Sequence, residues 1–400
     1  MKGRPRVLWV TPFPPYPPDN GGMLRILSLA RRLTDRFDLS LLTFARETGE
    51  RRFQQNAALL ALRRVFSEVH CVPKETAELP AEAVPPLPSI CREWYSPSMA
   101  ALLQRLVIEG RADLVHVEFL LMAFYAWYCR GAPRVLTEHD SSHLSLRRSY
   151  FREWTGLRRW ARLGDWLSVR RYHRSVCGLY DRVVALTPAD QERLRRTLAP
   201  ERVALVPTCV DLERFSARPA PAEEPPGLVY VGHYPHYPNE DAAVWFCERI
   251  LPRIRAERPD ATLTLVGSHP TDSVRNLARP WVAVTGSVPD VRPYLDRAAV
   301  FVAPIRLGYG VKGKVLEAFA RGVPVVATPS VHEGLPGAVA GEHLLVARTP
   351  SEFAAAVLRL LGDGALRGRL ASGARRLAEE RCDWAGSARR LAELYEELLA

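Results

Sequence analysis

Short runs of aliphatic and β-branched residues alternate along this chain with longer stretches of helical period. That alternation is the pattern of a parallel sheet with helices on its faces. In the first half the predicted strands are Arg6–Thr11, 39–44, Leu114–Glu118, Arg134–Thr137, 182–186 and 203–206, with helices over 22–33 and from about 145 to 176. In the second half strands are predicted over 228–232, 262–267, 282–286, Val300–Ala303, 323–327 and 344–346, with helices over 239–257, 291–296, 313–321 and 350–361. A chain of 400 residues exceeds one hydrophobic core and suits two. Segment 216–226, SARPAPAEEPP, holds four Pro, so it neither pairs as a central strand nor continues a helix. It is the predicted linker between a first domain, 1–215, and a second, 227–382. The last amphipathic helix, within 383–400, is predicted to cross back and brace the first domain. Each half reads as a doubly wound, Rossmann-like α/β unit. Ligands of such sheets lie beyond the carboxyl ends of the strands, so two sheets facing across a cleft would bring both ligand edges together.

Composition removes several classes. No stretch reaches the roughly 20 apolar residues of a membrane span. The basic start is followed by an apolar run that breaks at Pro12, Pro14 and Pro15, as a strand entering a loop does and a secretory segment does not. The seven cysteines (71, 91, 129, 177, 209, 247 and 382) are scattered and never spaced C-x-x-C, which argues for reduced thiols and a cytoplasmic location. Lys and Arg number 55 against 44 Asp and Glu, a net +11. Such a surplus attracts anions: nucleic acid, anionic lipid or phosphorylated substrates.

Four segments carry candidate chemistry. In PFPPYPPDNGGMLR (12–25) a strand ends in a Pro-rich loop, and Gly21-Gly22 opens a helix whose free N–H groups favour an anion. The plain alternative is a turn and a helix cap. In LTEHDSSH (136–143), His139 and Asp140 follow a strand end, where catalytic residues of such folds lie; His139 reads as a proton donor or as a structural hydrogen-bonding residue. His139 and His143 are one helical turn apart, but no third ligand accompanies them and no metal is expected. In IRLGYGVKGKVLEAFARG (305–322) three glycines and two lysines lie between a strand and a helix, so backbone N–H groups with Lys312 and Lys314 suit a phosphate, and Glu317 a sugar hydroxyl. In VYVGHYPHYPN (229–239), Gly232 ends a strand; His233 and His236 read equally as structural or functional.

Taken together these segments resemble the GT-B glycosyltransferases of family 4, which are retaining and use sugar nucleotides. The likeness runs over nearly the whole chain. It rests on Gly21-Gly22 with Arg25, TEHD at His139, VVALTPADQERL at 183–194, VPTCVDLERF at 206–215, the VGH loop at Gly232, GSVPDVRPYL at 286–295 and KVLEAFARGVPVVAT at 314–328. The resemblance implies that Gly21, Gly22, Gly232, His233, Gly310, Val311, Lys312 and Lys314 border the donor diphosphate. It implies that Val288, Pro289 and Val291 hold the base and Glu317 the ribose. His139, with Glu317, is implied at the reacting centre, and Arg25, Asp140 and Tyr309 near acceptor or sugar. The donor is then a UDP- or GDP-sugar, and the leaving phosphate relieves the attacking hydroxyl of its proton without a metal or other cofactor. Five residues depart from the family pattern. Tyr309 stands where a sugar-binding glutamate is usual, eight residues before Glu317. His233 and Asn239 replace an Arg and a Lys, and Thr208-Cys209 an Asn-Gly. Lys312 and Lys314 are the expected replacements for the missing cations.

From Arg147 to Arg174 nine Arg face two acids, a net +7, with Trp154, Trp160 and Trp166 interleaved. The segment reads as a helix with an aromatic core face and a solvated Arg face, or as a peripheral contact with an anionic membrane surface. No nucleic-acid module accompanies it. The activity expected is hexose transfer to a glycan or lipid-linked acceptor in surface polysaccharide or glycolipid synthesis. The alternatives are a catalytically weak binding or scaffold subunit and a sugar-nucleotide epimerase, though no acid–base pair for the latter is visible.

Overall fold

The computed structural model describes residues 3–18, 20–45, 52–75, 87–139, 157–217, 227–307 and 310–400, without the side chains of 52–56 and 157–162. By contact the chain divides into one unit of 1–207 with 385–400 and another of 208–384.

The first unit carries a seven-stranded sheet: β1 (Arg6–Thr11), β2 (Asp38–Phe44), β3 (Glu68–Val72), β4 (Leu114–Glu118), β5 (Arg134–Thr137), β6 (Arg182–Ala185) and β7 (Val203–Leu205). Their spatial order is β3-β2-β1-β4-β5-β6-β7, and every pairing is parallel. Central strands covered on both faces must be apolar throughout. Val7, Trp9 and Val10 accordingly have no exposed surface, and all five residues of β4 are buried. β4 is the exception in composition, since it buries His116 and Glu118 as well. Strand order reverses between β1 and β4, so ligands of this unit belong beyond Thr11 and Glu118.

The second unit carries β8 (Gly227–Val231), β9 (Thr262–Val266), β10 (Val282–Val284), β11 (Val300–Ala303), β12 (Val325–Ala327) and β13 (Leu345–Val346). The order is β10-β9-β8-β11-β12-β13, again all parallel. Its reversal point lies between β8 and β11. Both units are doubly wound α/β folds.

Some details differ from expectation. β3, EVHCV, is an additional strand in the first sheet; it lies at the edge, where one open side removes the need for a continuous apolar run. The helix expected over 239–257 runs Tyr237–Trp245, widens into a π turn at Phe246–Ile250 and resumes over Leu251–Glu257. Pro252 lies in the first turn of the resumed helix and offers no N–H to the helical ladder. The division falls after Pro207 rather than 215, because the Val210 N–H donates to the Cys382 carbonyl and Phe215 joins the second core. The helix Trp384–Leu399 packs in the first unit from Ala385 onward, burying Leu391 and Tyr395 completely. Most of the expected linker, 218–226, lies outside the described residues.

Candidate functional site

In the first unit the loop after β1 leads into the helix Gly21–Leu33. Asn20 caps it, its side chain accepting from the Met23 N–H at 3.0 Å. The two glycines have different surroundings. A Cβ on Gly21 would meet nothing within 4 Å, whereas one on Gly22 would strike the Phe119 ring at 2.7 Å. Phe119 follows β4 with φ of +72°, a left-handed backbone unusual for a side chain of this size. Its N–H is fixed on the Thr137 carbonyl at 3.0 Å. Its ring stacks on His139, with centroids 3.7 Å apart and planes 8° from parallel, and Phe13 packs edge-on against it at 5.2 Å.

His139 lies just beyond β5, and its Nε2 is 2.6 Å from Oε2 of Glu118. Burial pushes the Glu118 carboxyl up, but His116, His139 and Arg25 outweigh it and hold the group below the usual carboxylate range. Arg25, expected at acceptor or sugar, is fully buried in this unit and donates to the Pro207 carbonyl at 3.3 Å. Asp140 lies outside the described residues. Between the end of β5 and His139, Glu138 pairs with His173 at 3.0 Å, and their ligand atoms lie within 4.8 Å of Cys177. His173 is raised well above the usual imidazole range, the Glu138 carboxylate overcoming the cost of burial.

In the second unit, Gly232 follows β8 and lies against the end of β9. A Cβ on Gly267 (φ +147°) would lie 1.7 Å from the Gly232 carbonyl oxygen, so only glycine lets these two loops touch. His233 Nδ1 pairs with the Ser268 hydroxyl at 2.8 Å. The Asn239 amide donates to the His233 carbonyl at 2.8 Å; its oxygen accepts from the Tyr230 hydroxyl at 3.1 Å and from Lys314 at 2.7 Å. Asn239 thus binds the β8 loop to the loop beyond β11, and the Lys314 ammonium lies 4.9 Å from the Tyr230 ring centroid. Gly310 turns that loop with φ of +79°, Val311 packs on the core, and Lys312 precedes the helix Gly313–Ala320. Tyr309 and Gly308 lie outside the described residues. Arg306, in the same loop, is occupied by Asp241 and by the Trp245 ring at 4.6 Å.

The charges here are poised near neutrality. Burial, then Lys312, lowers the Lys314 ammonium to about 7, against the pull of Glu317. Burial raises the Glu317 carboxyl to about 7, opposed by Arg214 and Lys314 and reinforced by Asp290. His236 is lowered to about 4 by burial and by Lys312, Lys314 and His233, so it is neutral at physiological pH. Val288 and Val291 are half-buried against the core and Pro289 is exposed; between them Asp290 accepts from the Arg292 N–H at 3.0 Å. Lys312, Lys314, Glu317 and His233 therefore gather beyond β8 and β11, at the reversal point, while the 288–291 turn follows the edge strand β10 and acts on Glu317 through Asp290.

Two family models divide the chain between them: Glycosyltransferase Family 4 matches residues 19–214 and Glycosyl transferases group 1 matches 225–363. The chain belongs to the family 4 GT-B glycosyltransferases. This glycosyltransferase is similar to a phosphatidyl-myo-inositol mannosyltransferase of Mycobacterium leprae (strain TN), 27% identical over 322 residues, which cover 77% of this chain and 79% of that one. In fold it matches sucrose-phosphate synthase from Thermosynechococcus elongatus, with a TM-score of 0.72, 18% identity and 99% of each chain covered. It likewise matches HepE of Anabaena in complex with UDP, with a TM-score of 0.68, 15% identity, and 98% of this chain and 100% of that one covered.

Sequence reading missed Glu118, Phe119 and Ser268, and read Asn239 only as a lost cation. The available signal for Glu118 was two ionisable residues, 116 and 118, on one face of a strand otherwise wholly apolar. Among the described residues no helix is long and apolar enough to cross a membrane.

Proposed function

We propose that this glycosyltransferase moves a hexose-type sugar, with retention, from a UDP- or GDP-sugar to a hydroxyl on a glycan or lipid-linked acceptor. The observation that carries the reading is Lys314, bracketed by Asn239 and Tyr230 at the reversal point of the second sheet. Asn239 occupies the position where the family usually has a lysine, and Lys314 brings a cation back to that position from the neighbouring helix. A diphosphate beside it restores a full positive charge to an ammonium that burial has lowered to about 7. Lys312 and the N–H groups opening the helix Gly313–Ala320 add to that field.

The bond between the anomeric carbon and the phosphate oxygen breaks, and the acceptor oxygen bonds that carbon from the same face. The acceptor's proton passes to the departing phosphate, whose charge the lysines and the helix end stabilise by preorganised electrostatics. The reading calls on no metal. Glu317 accepts from the ribose, backbone atoms of 288–291 hold the base, and His139 contacts the transferring sugar. The UDP bound in the Anabaena neighbour, and phosphatidyl-myo-inositol, a lipid, in the name of the mycobacterial mannosyltransferase, support these classes. Arg170, Arg171 and Arg174 are exposed beside Leu167, while Val169, Tyr172 and Val176 face the core. We extend the proposal to peripheral contact with anionic lipid on that face, at the cytoplasmic side of the cell membrane, in surface polysaccharide or glycolipid synthesis.

The test is a thermal-shift panel of nucleoside diphosphates and their sugars. A ligand that binds only the folded state stabilises it by about 2.7 kcal/mol at a hundredfold excess over Kd. UDP or GDP is expected to raise Tm in a concentration-dependent way, and the matching sugar nucleotide to be slowly hydrolysed without acceptor. No response to any nucleoside diphosphate would remove the reading.

A further inference from the structure

Beyond β4 a buried polar chain ends on His139. The Tyr395 hydroxyl, from the C-terminal helix, bonds Nδ1 of His116. Nε2 of His116 is 2.7 Å from the Thr137 hydroxyl and 3.6 Å from Oε1 of Glu118. Oε2 of Glu118 then takes Nε2 of His139 at 2.6 Å. Glu118 has no exposed surface and His139 little. An ionised carboxylate can only accept, so the proton of this bond resides on Nε2. Among the described residues Nδ1 of His139 has no hydrogen-bond partner. The face of the imidazole is fixed as firmly as its edge, by the Phe119 ring at 3.7 Å. Phe119 is held in its left-handed conformation between Phe13 and Gly22. A non-glycine residue with positive φ next to a buried carboxylate is strain of the kind that folds retain where it positions a functional group.

We infer that Glu118 is the positioning residue of His139: its carboxylate holds the Nε2 proton, and with Phe119 it presents Nδ1 as the nitrogen that meets the substrate. This rests on the reading of His139 as a residue of the transfer site. The groups that face the pair are His116 on β4, Arg25 on the helix Gly21–Leu33 and Tyr395 on the C-terminal helix. Burial lowers His116 to about 4, so it is neutral, and Tyr395 is raised well above the phenol range; neither competes for the proton on His139.

The full-length protein carrying Glu118→Gln keeps the shape and an acceptor for Nε2 but loses the charge; Glu118→Ala loses both. With ¹⁵N-labelled histidine, NMR of the wild type should show His139 as the Nε2–H tautomer. Glu118→Gln should titrate at lower pH, and Glu118→Ala should give a mixture of tautomers. Turnover should fall tenfold or more in Glu118→Gln, with the donor KM within about threefold and the His139 limb of the pH profile moved to lower pH. In a His139→Ala background Glu118→Gln should cost less than twofold, because the two act as one unit. If Glu118→Ala does not fold, Gly22→Ala serves instead: it displaces the Phe119 ring and should shift the His139 signals. Unchanged His139 signals and titration in Glu118→Gln, or an undiminished cost in the His139→Ala background, would overturn the inference. Full activity of His139→Ala alone would instead remove His139 from the reaction, with the titration still deciding what Glu118 does.

Discussion

Beyond β4 the ionisable groups are matched within the first unit: Glu118 is ionised and bonded to His139, while His116 is neutral between Tyr395 and Thr137. Beyond β11 the second unit leaves its charges unsettled. Lys314 meets a neutral amide and an aromatic ring, and Lys314 and Glu317 both titrate at about 7. The first arrangement holds a side chain still without a ligand, although Oε1 of Glu118 is left without a hydrogen-bond partner among the described residues. The second gains from an anion, since the negative charge of a diphosphate favours the protonated form of Lys314. A fold that positions one reacting group and grips another therefore uses burial in two ways: with hydrogen-bonded partners it orients, and where burial leaves Lys314 and Glu317 only partly charged it stores affinity.

The comparison breaks most readily at the ordered side. His139→Ala is expected to lower kcat by about a hundredfold, with nucleotide binding unchanged by calorimetry. A matching loss of nucleotide affinity would mean that the two sites do not divide their work this way.

Glu317→Gln sharpens the unsettled side. A carboxyl raised in the folded state stabilises below its unfolded value of 4.5 and loses that contribution as pH rises through about 7. Lys314 is the reverse: its lowered value opposes folding below 10.5, and fully so below about 7. Near pH 7.5 both groups therefore oppose folding. Glu317→Gln should raise Tm by roughly 2–4 °C at pH 7.5 and by less at pH 5, while weakening donor binding. A variant less stable at pH 7.5 than at pH 5, relative to wild type, would show Glu317 to be stabilising.

How far each side was legible follows from the same difference. Glycines and lysines between a strand and a helix announce a phosphate loop locally, so Gly310, Lys312, Lys314 and Glu317 could be read from eight consecutive residues. The ordering of His139 could not. Glu118 ends an apolar run and looks like the last residue of a buried strand, and Tyr395 is 279 residues from the histidine it bonds. Only the pairing of β4 with β5 and the packing of the C-terminal helix in the first unit bring those groups together. Asn239 misled for a related reason: its oxygen matters as the acceptor for Lys314, a partner 75 residues away. The positions of the strands were readable because buried parallel strands must be apolar, and the edge strand β3 escaped because that requirement lapses at an edge.

Calorimetry of UDP and GDP against wild type and Lys312→Ala/Lys314→Ala tests the central claim most directly. The account predicts that one nucleotide binds the wild type, more weakly as pH rises above 7 and as salt is added, and that the double variant loses tenfold or more in affinity while remaining folded. Equal affinity in the two proteins would contradict it.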